Sequence, residues 1–219
     1  MGAHAFGGNT ACGGDEACDT NTPAYTGVDL AWFGPSSSRN DAFVAAGDVT
    51  GDGKAELFFT PNTSGSASPV YGLKGRASIA SALPGGFATV ASAASPSSVL
   101  LDWTLTNAAS NDGLGMRIAL GDVDKDGVKD LVVASWNTSS GSPGALALFW
   151  GGPGSLLFSS ATTSASAAPV KLLGNHEYLG QSLTLGDLSG DGYADIAASS
   201  YDPAWTGGVV QVVLGGTRQ

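Results

Sequence analysis

A short acidic pattern, D-x-[DST]-x-D-G-x-x-[DE], occurs three times in this chain and constrains its fold more than any other feature. The copies span residues 48–56, 122–130 and 187–195, which we name loop 1, loop 2 and loop 3. They begin 74 residues (122 minus 48) and 65 residues (187 minus 122) apart. Self-similarity at such a spacing is typical of repeat architectures, in which each repeat is one supersecondary unit.

The segments around each loop predict β-strands. An apolar run precedes each loop, and LFF, LVV or IAA follows it without polar alternation, which indicates strands covered on both faces. After a Gly/Ser/Pro-rich connection comes a further apolar run that ends in Gly. Residues 99–106 and 169–173 are candidates for a fourth strand. Each unit therefore reads as strand, acidic loop, strand, connection, strand and, where the candidate is present, a fourth strand.

These units predict an all-β chain built as β-propeller blades. The 33 glycines suit short strands and turns better than helices. Four-stranded units of about 65 residues fit blades better than a sandwich. We expect one propeller region over 1–219 with about three and a half blades: a partial blade (1–38), two full blades (39–107 and 108–174) and a blade lacking its last strand (175–219). Because an open arc exposes sheet edges, we expect a longer chain or a second copy to complete it.

Two Ser/Ala-rich stretches, residues 77–98 and 159–168, interrupt this pattern. We interpret them as long surface connections between outer strands. A flexible linker is the alternative, and the residues alone do not separate the two.

The acidic loops have the chemistry of calcium sites. Ca²⁺ takes six to eight oxygen ligands, and oxygens at alternate positions converge where the backbone turns tightly around a Gly at position 6. Positions 1, 3, 5 and 9 supply side chains, and position 7 supplies its carbonyl. The predicted ligands of the three sites are Asp48, Thr50, Asp52, Lys54 and Glu56 in loop 1, Asp122, Asp124, Asp126, Val128 and Asp130 in loop 2, and Asp187, Ser189, Asp191, Tyr193 and Asp195 in loop 3.

Other interpretations of the loops are weaker. An EF-hand needs a bidentate Glu at position 12, where this chain has Phe59, Val133 and Ala198. Turns of Asp and Gly without an ion remain the alternative, since both residues favour turns. Magnesium is less suited, because these loops offer many protein ligands in a flexible geometry. Loop 2 carries four carboxylates, so we expect it to bind calcium most tightly.

The net charge of −10 is concentrated in the loops. Ten of the 19 acidic residues lie there, and the other nine balance the nine Lys and Arg. Three Ca²⁺ ions would bring the net charge to −4 (−10 plus 6). Nucleic acid and anionic membranes need basic patches, so neither is an expected partner.

The loops and their flanks resemble the FG-GAP repeat of the integrin α-subunit propeller, which also occurs in bacterial extracellular proteins. That family places a Phe-Gly pair before the calcium loop, which joins the first two strands of a blade. Here Leu114-Gly115 and Leu179-Gly180 stand eight residues before the first Asp of loops 2 and 3, whereas loop 1 has Asn40-Asp41 there. The Gly-Ala-Pro place after the second strand keeps only Pro61.

The resemblance implies an extracellular or cell-surface module, secreted or periplasmic, that binds a protein or glycan on the face opposite the calcium loops. No signal-peptide core follows Met1, so we expect that any export signal has been removed. Aromatic residues in or beside the connections of that face are candidate ligand contacts, with packing between blades as the alternative: Trp136, Tyr201 and Trp205. Trp32 and Trp150 recur at equivalent strand ends, and we interpret both as packing residues.

Cys12 and Cys18 lie in a Gly/Asp/Asn-rich stretch and can form a disulfide, which would imply an oxidising compartment; free thiols are the alternative.

The chain has two histidines, His4 and His176, and no G-x-S-x-G, H-E-x-x-H or phosphate-loop signature. We therefore do not expect an enzyme. Two classes of function remain: an adhesion or recognition module, and a purely structural repeat domain of a surface filament or of a larger secreted enzyme.

Overall fold

The computed structural model describes residues 31–33, 43–60, 69–76, 87–89, 101–106, 113–135, 143–174, 178–200 and 207–218. These residues form strands joined by turns, with one 3₁₀ turn at Ala165–Ala167. The strands are β1 (Ala31–Phe33), β2 (Phe43–Gly47), β3 (Glu56–Thr60), β4 (Val70–Leu73), β5 (Phe87–Thr89), β6 (Trp103–Thr106), β7 (Leu114–Gly121), β8 (Asp130–Ser135), β9 (Ala145–Phe149), β10 (Thr162–Ser164), β11 (Val170–Leu173), β12 (Ser182–Gly186), β13 (Asp195–Ser200) and β14 (Val209–Val213). The all-β prediction is confirmed. Within the described ranges, no helix has the length and apolar character to cross a membrane.

Three antiparallel sheets repeat along the chain, and each contains one acidic loop between its first two strands. The first sheet has the order β2-β3-β4-β6, the second β7-β8-β9-β11 and the third β12-β13-β14. The predicted fourth strands are present as β6 and β11. Neighbouring strands therefore follow one another in sequence, apart from the short strands inside the connections.

The first strands of the three sheets lie side by side, with β7 between β2 and β12. Both faces of the second sheet are consequently covered. On β8, Leu131 and Val133 join a core shared with the first sheet, while Val132 and Ala134 join a core shared with the third. All four side chains are fully buried. The uninterrupted apolar run LVV therefore has the structure expected of a strand with neighbours on both faces.

The first core is centred on aromatic rings. The ring of Trp103 contacts Phe58 edge-on, with centroids 6.0 Å apart, and Phe149 edge-on at 6.3 Å. Its indole N–H donates to Thr163 Oγ1 at 3.0 Å, which satisfies the one polar atom of this buried side chain. Trp103 thus links the outer strand of the first sheet to the second sheet and to β10.

The two Ser/Ala-rich stretches differ from our expectation of plain surface connections. Residues 159–168 contain β10, which pairs in parallel with β6 of the preceding sheet. Residues 77–98 contain β5, which pairs in parallel with β1. Each connection thus adds a short strand to the unit before it, because an outer strand has unpaired N–H and C=O groups along its free edge.

The Leu-Gly pairs before loops 2 and 3 occupy buried positions, the first suited to an apolar side chain and the second to glycine. Leu114 and Leu179 are 0% and 2% exposed. Gly115 and Gly180 have φ values of 82° and 100°, a conformation that residues with a Cβ rarely adopt. A Cβ at Gly180 would also lie 2.5 Å from the Cβ of Ala134. The first position of each pair therefore buries an apolar side chain, while the backbone requires glycine at the second.

Candidate metal centres

The first aspartate of every loop organises the loop backbone. Asp122 accepts hydrogen bonds from the N–H groups of Asp126 (3.0 Å) and Gly127 (2.9 Å). Asp48 accepts from Gly51 and Gly53, and Asp187 accepts from Gly190, Asp191 and Gly192, at 2.6–3.1 Å. The Gly at position 6 has φ between 81° and 90° in all three loops, which explains why Gly stands there.

The aspartate at position 5 closes a second, smaller turn. One carboxylate oxygen of Asp52, Asp126 and Asp191 accepts the N–H of the residue two positions later, at 2.9, 2.9 and 3.0 Å. These donors belong to the residues predicted to offer carbonyls, namely Lys54, Val128 and Tyr193. Such Asx turns fix one oxygen of each position-5 carboxylate against the loop backbone.

The acid at position 9 is buried and joins the two ends of its loop to the third strand. Glu56, Asp130 and Asp195 are 1%, 0% and 0% exposed. Asp130 accepts one hydrogen bond from Val123 N at 2.8 Å and another from Gly151 N at 2.8 Å. Equivalent pairs are Val49 and Gly75 around Glu56, and Leu188 and Gly215 around Asp195. We name Glu56, Asp130 and Asp195 the closing acids.

The glycine after each third strand is the partner that the sequence reasoning missed. A Cβ at Gly151 would lie 2.2 Å from the carbonyl oxygen of Lys129, and one at Gly75 would lie 2.7 Å from that of Ala55. Only Gly therefore lets the backbone approach the closing acid. The signal was present in the sequence, because all three third-strand segments end in Gly.

Backbone hydrogen bonds connect neighbouring loops. The carbonyls of Asp48 and Val49 in loop 1 accept from Lys129 N and Gly152 N of the second sheet, both at 2.9 Å. The same arrangement recurs one sheet later: Asp122 O and Val123 O of loop 2 accept from Ala194 N (2.8 Å) and Gly216 N (2.9 Å). The three loops thus form a continuous row along one end of the sheets.

Loop 2 brings its acidic groups closest together. One carboxylate oxygen from each of Asp122, Asp124 and Asp130 lies within 4.8 Å of the others. Asp124 is 8% exposed and Asp130 is 0% exposed. The pKa of Asp130 is raised to about 6: burial is the main cause and the neighbouring Asp124 carboxylate adds to it, while the backbone hydrogen bonds and Arg218 oppose it. Such a cluster of hard oxygens fits a divalent cation such as Ca²⁺, which neutralises the charge.

The carboxylates of loops 1 and 3 do not converge in this way. Among the described residues, loop 2 has the one group of three acidic or histidine side chains close enough to share a metal ion. In loop 1, the ammonium group of Lys54 lies 3.0 Å from Asp52 and lowers the pKa of that exposed carboxyl. In loop 3, the hydrogen bond from Gly215 N lowers the pKa of Asp195.

Arg218 is a further residue of this region that the sequence reasoning missed. Its guanidinium group contacts the carboxylates of Asp124 and Asp126, the latter at 2.7 Å. Nothing near position 218 marks this contact in the sequence, since 92 residues separate Arg218 from Asp126.

The candidate ligand contacts Trp136, Tyr201 and Trp205 lie outside the described residues, as do Cys12 and Cys18, and their predictions remain predictions. The side chain of Trp32 is also outside the description. Trp150 packs against the core between the second and third sheets, so the prediction that it is a packing residue is confirmed.

Comparison with known protein families supports the repeat assignment. Residues 122–198, which include loops 2 and 3, match the sequence model of an FG-GAP-like repeat. This part of the chain is therefore similar to FG-GAP-like repeats, as the acidic loops and Leu-Gly pairs indicated. No curated protein sequence matches the chain.

Proposed function

We propose that this chain is an extracellular calcium-binding β-propeller module in which Ca²⁺ is a structural ion. The observation that carries the proposal is the approach of Asp122, Asp124 and Asp130 to within 4.8 Å of one another. Three carboxylates this close repel one another unless protonated or paired with a cation. Ca²⁺ at this position would offset two of their three charges and fix the turn between β7 and β8.

Loops 1 and 3 support two further sites. Their backbones are held by the same hydrogen bonds from position 1, position 5 and the closing acid as in loop 2. Their donor sets are also all oxygen, with Thr50 and Ser189 in place of Asp124. We therefore propose three calcium ions, one in each loop.

The arrangement of the sheets supports a propeller. Three antiparallel sheets lie with their first strands side by side, and the acidic loops occupy the same end of each sheet. Radial repetition of short antiparallel sheets is the propeller architecture. In this proposal the chain supplies about three and a half blades, and a longer parent chain or a second copy supplies the rest of the ring.

We further propose that the module recognises a protein or a glycan through the end of the sheets opposite the acidic loops. The carboxyl end of β8 and the amino end of β9 lie at that end, because antiparallel neighbours alternate in direction. The segment between them contains Trp136, and the segment between β13 and β14 contains Tyr201 and Trp205. Aromatic residues on connections between rigid strands are common binding contacts. The proposal assigns no catalysis to the chain.

Thermal unfolding with and without calcium tests the structural role of the ion. A ligand that binds only the folded state stabilises it by about 2.7 kcal/mol when present at 100 times its Kd. We expect Ca²⁺ to raise the Tm of chelator-treated protein by much more than the same concentration of Mg²⁺ does. An unchanged Tm at millimolar Ca²⁺ contradicts the proposal.

A matched pair of variants locates the effect. Asp124 and Asp102 are both aspartates paired with an arginine, but only Asp124 lies in an acidic loop. Asp124→Asn should reduce the calcium-dependent gain in Tm, whereas Asp102→Asn should retain it. An equal reduction in both variants would assign the gain to general charge screening.

Recognition is tested separately by glycan arrays and pull-downs on calcium-loaded protein, where the absence of any ligand contradicts it.

A purely structural repeat domain is the second candidate, and one observation favours it. On β14, the side chains of Val210 and Val212 are 70% and 50% exposed. Exposed apolar strands of this kind mark contact surfaces. Light scattering after size exclusion, taken together with the binding assays, tests this candidate: assembly of a protein that binds no glycan or protein favours it, and a stable monomer of 21.7 kDa that binds a glycan or a protein contradicts it.

A further inference from the structure

Arg218 follows β14 of the third sheet and reaches back into loop 2 of the second. Its Nε contacts the Asp124 carboxylate, and an Nη atom lies 2.7 Å from Asp126 Oδ2 and 3.9 Å from Asp130 Oδ1. The same Nη donates to the backbone carbonyl of Gly151 at 3.1 Å. One guanidinium group therefore contacts or neighbours three of the four carboxylates of the loop.

The surroundings of the guanidinium group make it a fitting counter-ion. It lies over the indole ring of Trp150, 5.1 Å from the ring centroid, so one face is covered by an aromatic surface. The Asp124 side chain is 3% exposed, and a buried carboxylate needs a cation or a proton beside it. The planar group of arginine, with five N–H donors, can contact several acceptors at once.

The position of Asp126 shows what this contact does to the loop. Position 5 is a predicted calcium ligand, yet Asp126 is outside the group of three carboxylates that converge. One of its oxygens accepts from Val128 N, and the other is bonded to Arg218. The arginine thus occupies an oxygen atom of a carboxylate that a calcium ion would need.

Loops 1 and 3 lack an equivalent contact among the described residues. In loop 1, the cation beside Asp52 is Lys54 of the same loop, and both side chains are about half exposed. In loop 3, the ammonium group of Lys125 reaches the backbone carbonyl of Asp191 rather than a carboxylate. Among the described residues, loop 2 is therefore the one acidic loop whose carboxylates contact a cation from a different sheet.

We propose that Arg218 is the exchangeable counter-ion of loop 2: it holds the carboxylates together in calcium-free protein and leaves Asp124 and Asp126 when Ca²⁺ binds. The inference rests on the proposed calcium function. Its consequence is that loop 2, with the most carboxylates, binds calcium less tightly than those carboxylates alone would allow. Binding there also releases the Arg218 side chain from the second sheet, while the backbone hydrogen bond from Gly216 N to Val123 O remains.

An NMR titration reads the three loops separately. The amides of Gly53, Gly127 and Gly192 each donate to the first aspartate of their own loop, so each reports calcium binding at one site. The Nε–H of Arg218 reports the exchange. In the wild-type protein we expect the Arg218 Nε–H and Gly127 signals to change along the same calcium curve, with the Nε–H becoming solvent-exposed.

A variant then measures the competition. Arg218→Gln should lower the Kd reported by Gly127 about three- to tenfold, the range expected from a partly exposed network of ion pairs. Gly53 and Gly192 should change less than about twofold. Arg76→Gln is the matched control, since Arg76 is paired with Asp102 outside the loops. It should leave all three affinities unchanged.

The outcomes distinguish this inference from the calcium function itself. If Arg218 keeps its contacts while Gly127 saturates, or if Arg218→Gln weakens or does not change binding at loop 2, the exchange is wrong and calcium binding stands. If none of the three glycine amides responds to millimolar Ca²⁺, the proposed function fails, and the exchange fails with it. The wild-type titration needs no variant, so a poorly folded Arg218→Gln protein would not prevent the decision.

Discussion

The second and third sheets have the same strand order and the same acidic loop, yet their third strands lie in different surroundings. Leu146 and Leu148 on β9 are 2% and 3% exposed. The equivalent Val210 and Val212 on β14 are 70% and 50% exposed. The second sheet has a sheet on each side and a fourth strand, β11, whereas β14 ends its sheet in the described structure. Similar apolar patterns on β9 and β14 therefore give unequal burial, because a neighbouring sheet covers β9 and none covers β14 among the described residues.

The closing acids show the same contrast electrostatically. Asp130 and Asp195 accept hydrogen bonds from equivalent backbone N–H groups. Burial nevertheless raises the pKa of Asp130, while hydrogen bonding from Gly215 N lowers that of Asp195. Asp195 accepts one hydrogen bond more, from Ser189 N at 3.0 Å, and among the described residues has no carboxylate beside it that corresponds to Asp124 next to Asp130. Hydrogen bonding therefore dominates at Asp195, whereas the cost of burying the charge dominates at Asp130.

The largest expected effect of this contrast is in the cores. Leu148→Ala removes a buried side chain between two sheets and should lower the free energy of unfolding by about 2–5 kcal/mol. Val212→Ala, at the equivalent exposed position, should cost less than about 0.5 kcal/mol. Urea unfolding of both variants measures the difference. A similar cost for both would mean that β14 is covered in solution, by another blade or another chain.

A smaller effect is expected at the glycines that contact the closing acids. A Cβ at Gly151 would lie 2.2 Å from Lys129 O, and one at Gly215 would lie 2.7 Å from Ala194 O. Gly151→Ala should cost about 1–3 kcal/mol, the range of overpacking in a well-packed region, and Gly215→Ala should cost less because the third sheet can shift.

Gly216→Ala is the control for this pair, because nothing lies within 4 Å of the added Cβ. It should leave the urea midpoint nearly unchanged. If Gly215→Ala proved as costly as Gly151→Ala, the third sheet would be as constrained as the second, contrary to its exposure.

Much of this structure follows from local patterns in the sequence. The loops specify their own turns through Asp at positions 1 and 5 and Gly at position 6. The apolar runs specify strands, which on β8 are covered on both faces, and short apolar segments predict the fourth strands β6 and β11. Each of these signals lies within a few residues of the structure that it predicts.

Contacts between sheets were not predictable in the same way. The parallel strands β5 and β10 have weak apolar patterns and form because an outer strand offers a free edge. The contact of Arg218 with loop 2 likewise depends on how the third sheet packs beside the second. No local pattern encodes the distance between two segments 92 residues apart in sequence, so only the assembled sheets reveal it.

The smallest expected effect is a difference in proton affinity between the two closing acids. In calcium-free protein with chelator present, carbon-detected NMR should give a pKa of about 6 for the Asp130 carboxyl and a pKa below the ordinary aspartate value for that of Asp195. An acid with a raised folded-state pKa binds a proton more readily in the folded state. Its contribution to stability is therefore fully present below about pH 4 and is lost as the pH rises through about 6.

The sign is opposite for Asp195, because its lowered pKa favours the ionised form in the folded state. Its contribution is present above the ordinary pKa of an aspartate and is lost as the pH falls through the lower, folded-state value. Removing calcium at pH 7 should thus leave a buried carboxylate in each sheet, unfavourable at Asp130 and stabilised by backbone hydrogen bonds at Asp195. Equal pKa values for the two carboxyls would show that the neighbours of the second sheet do not change the pKa of Asp130. The contrast between the two sheets would then be limited to the burial of their apolar side chains.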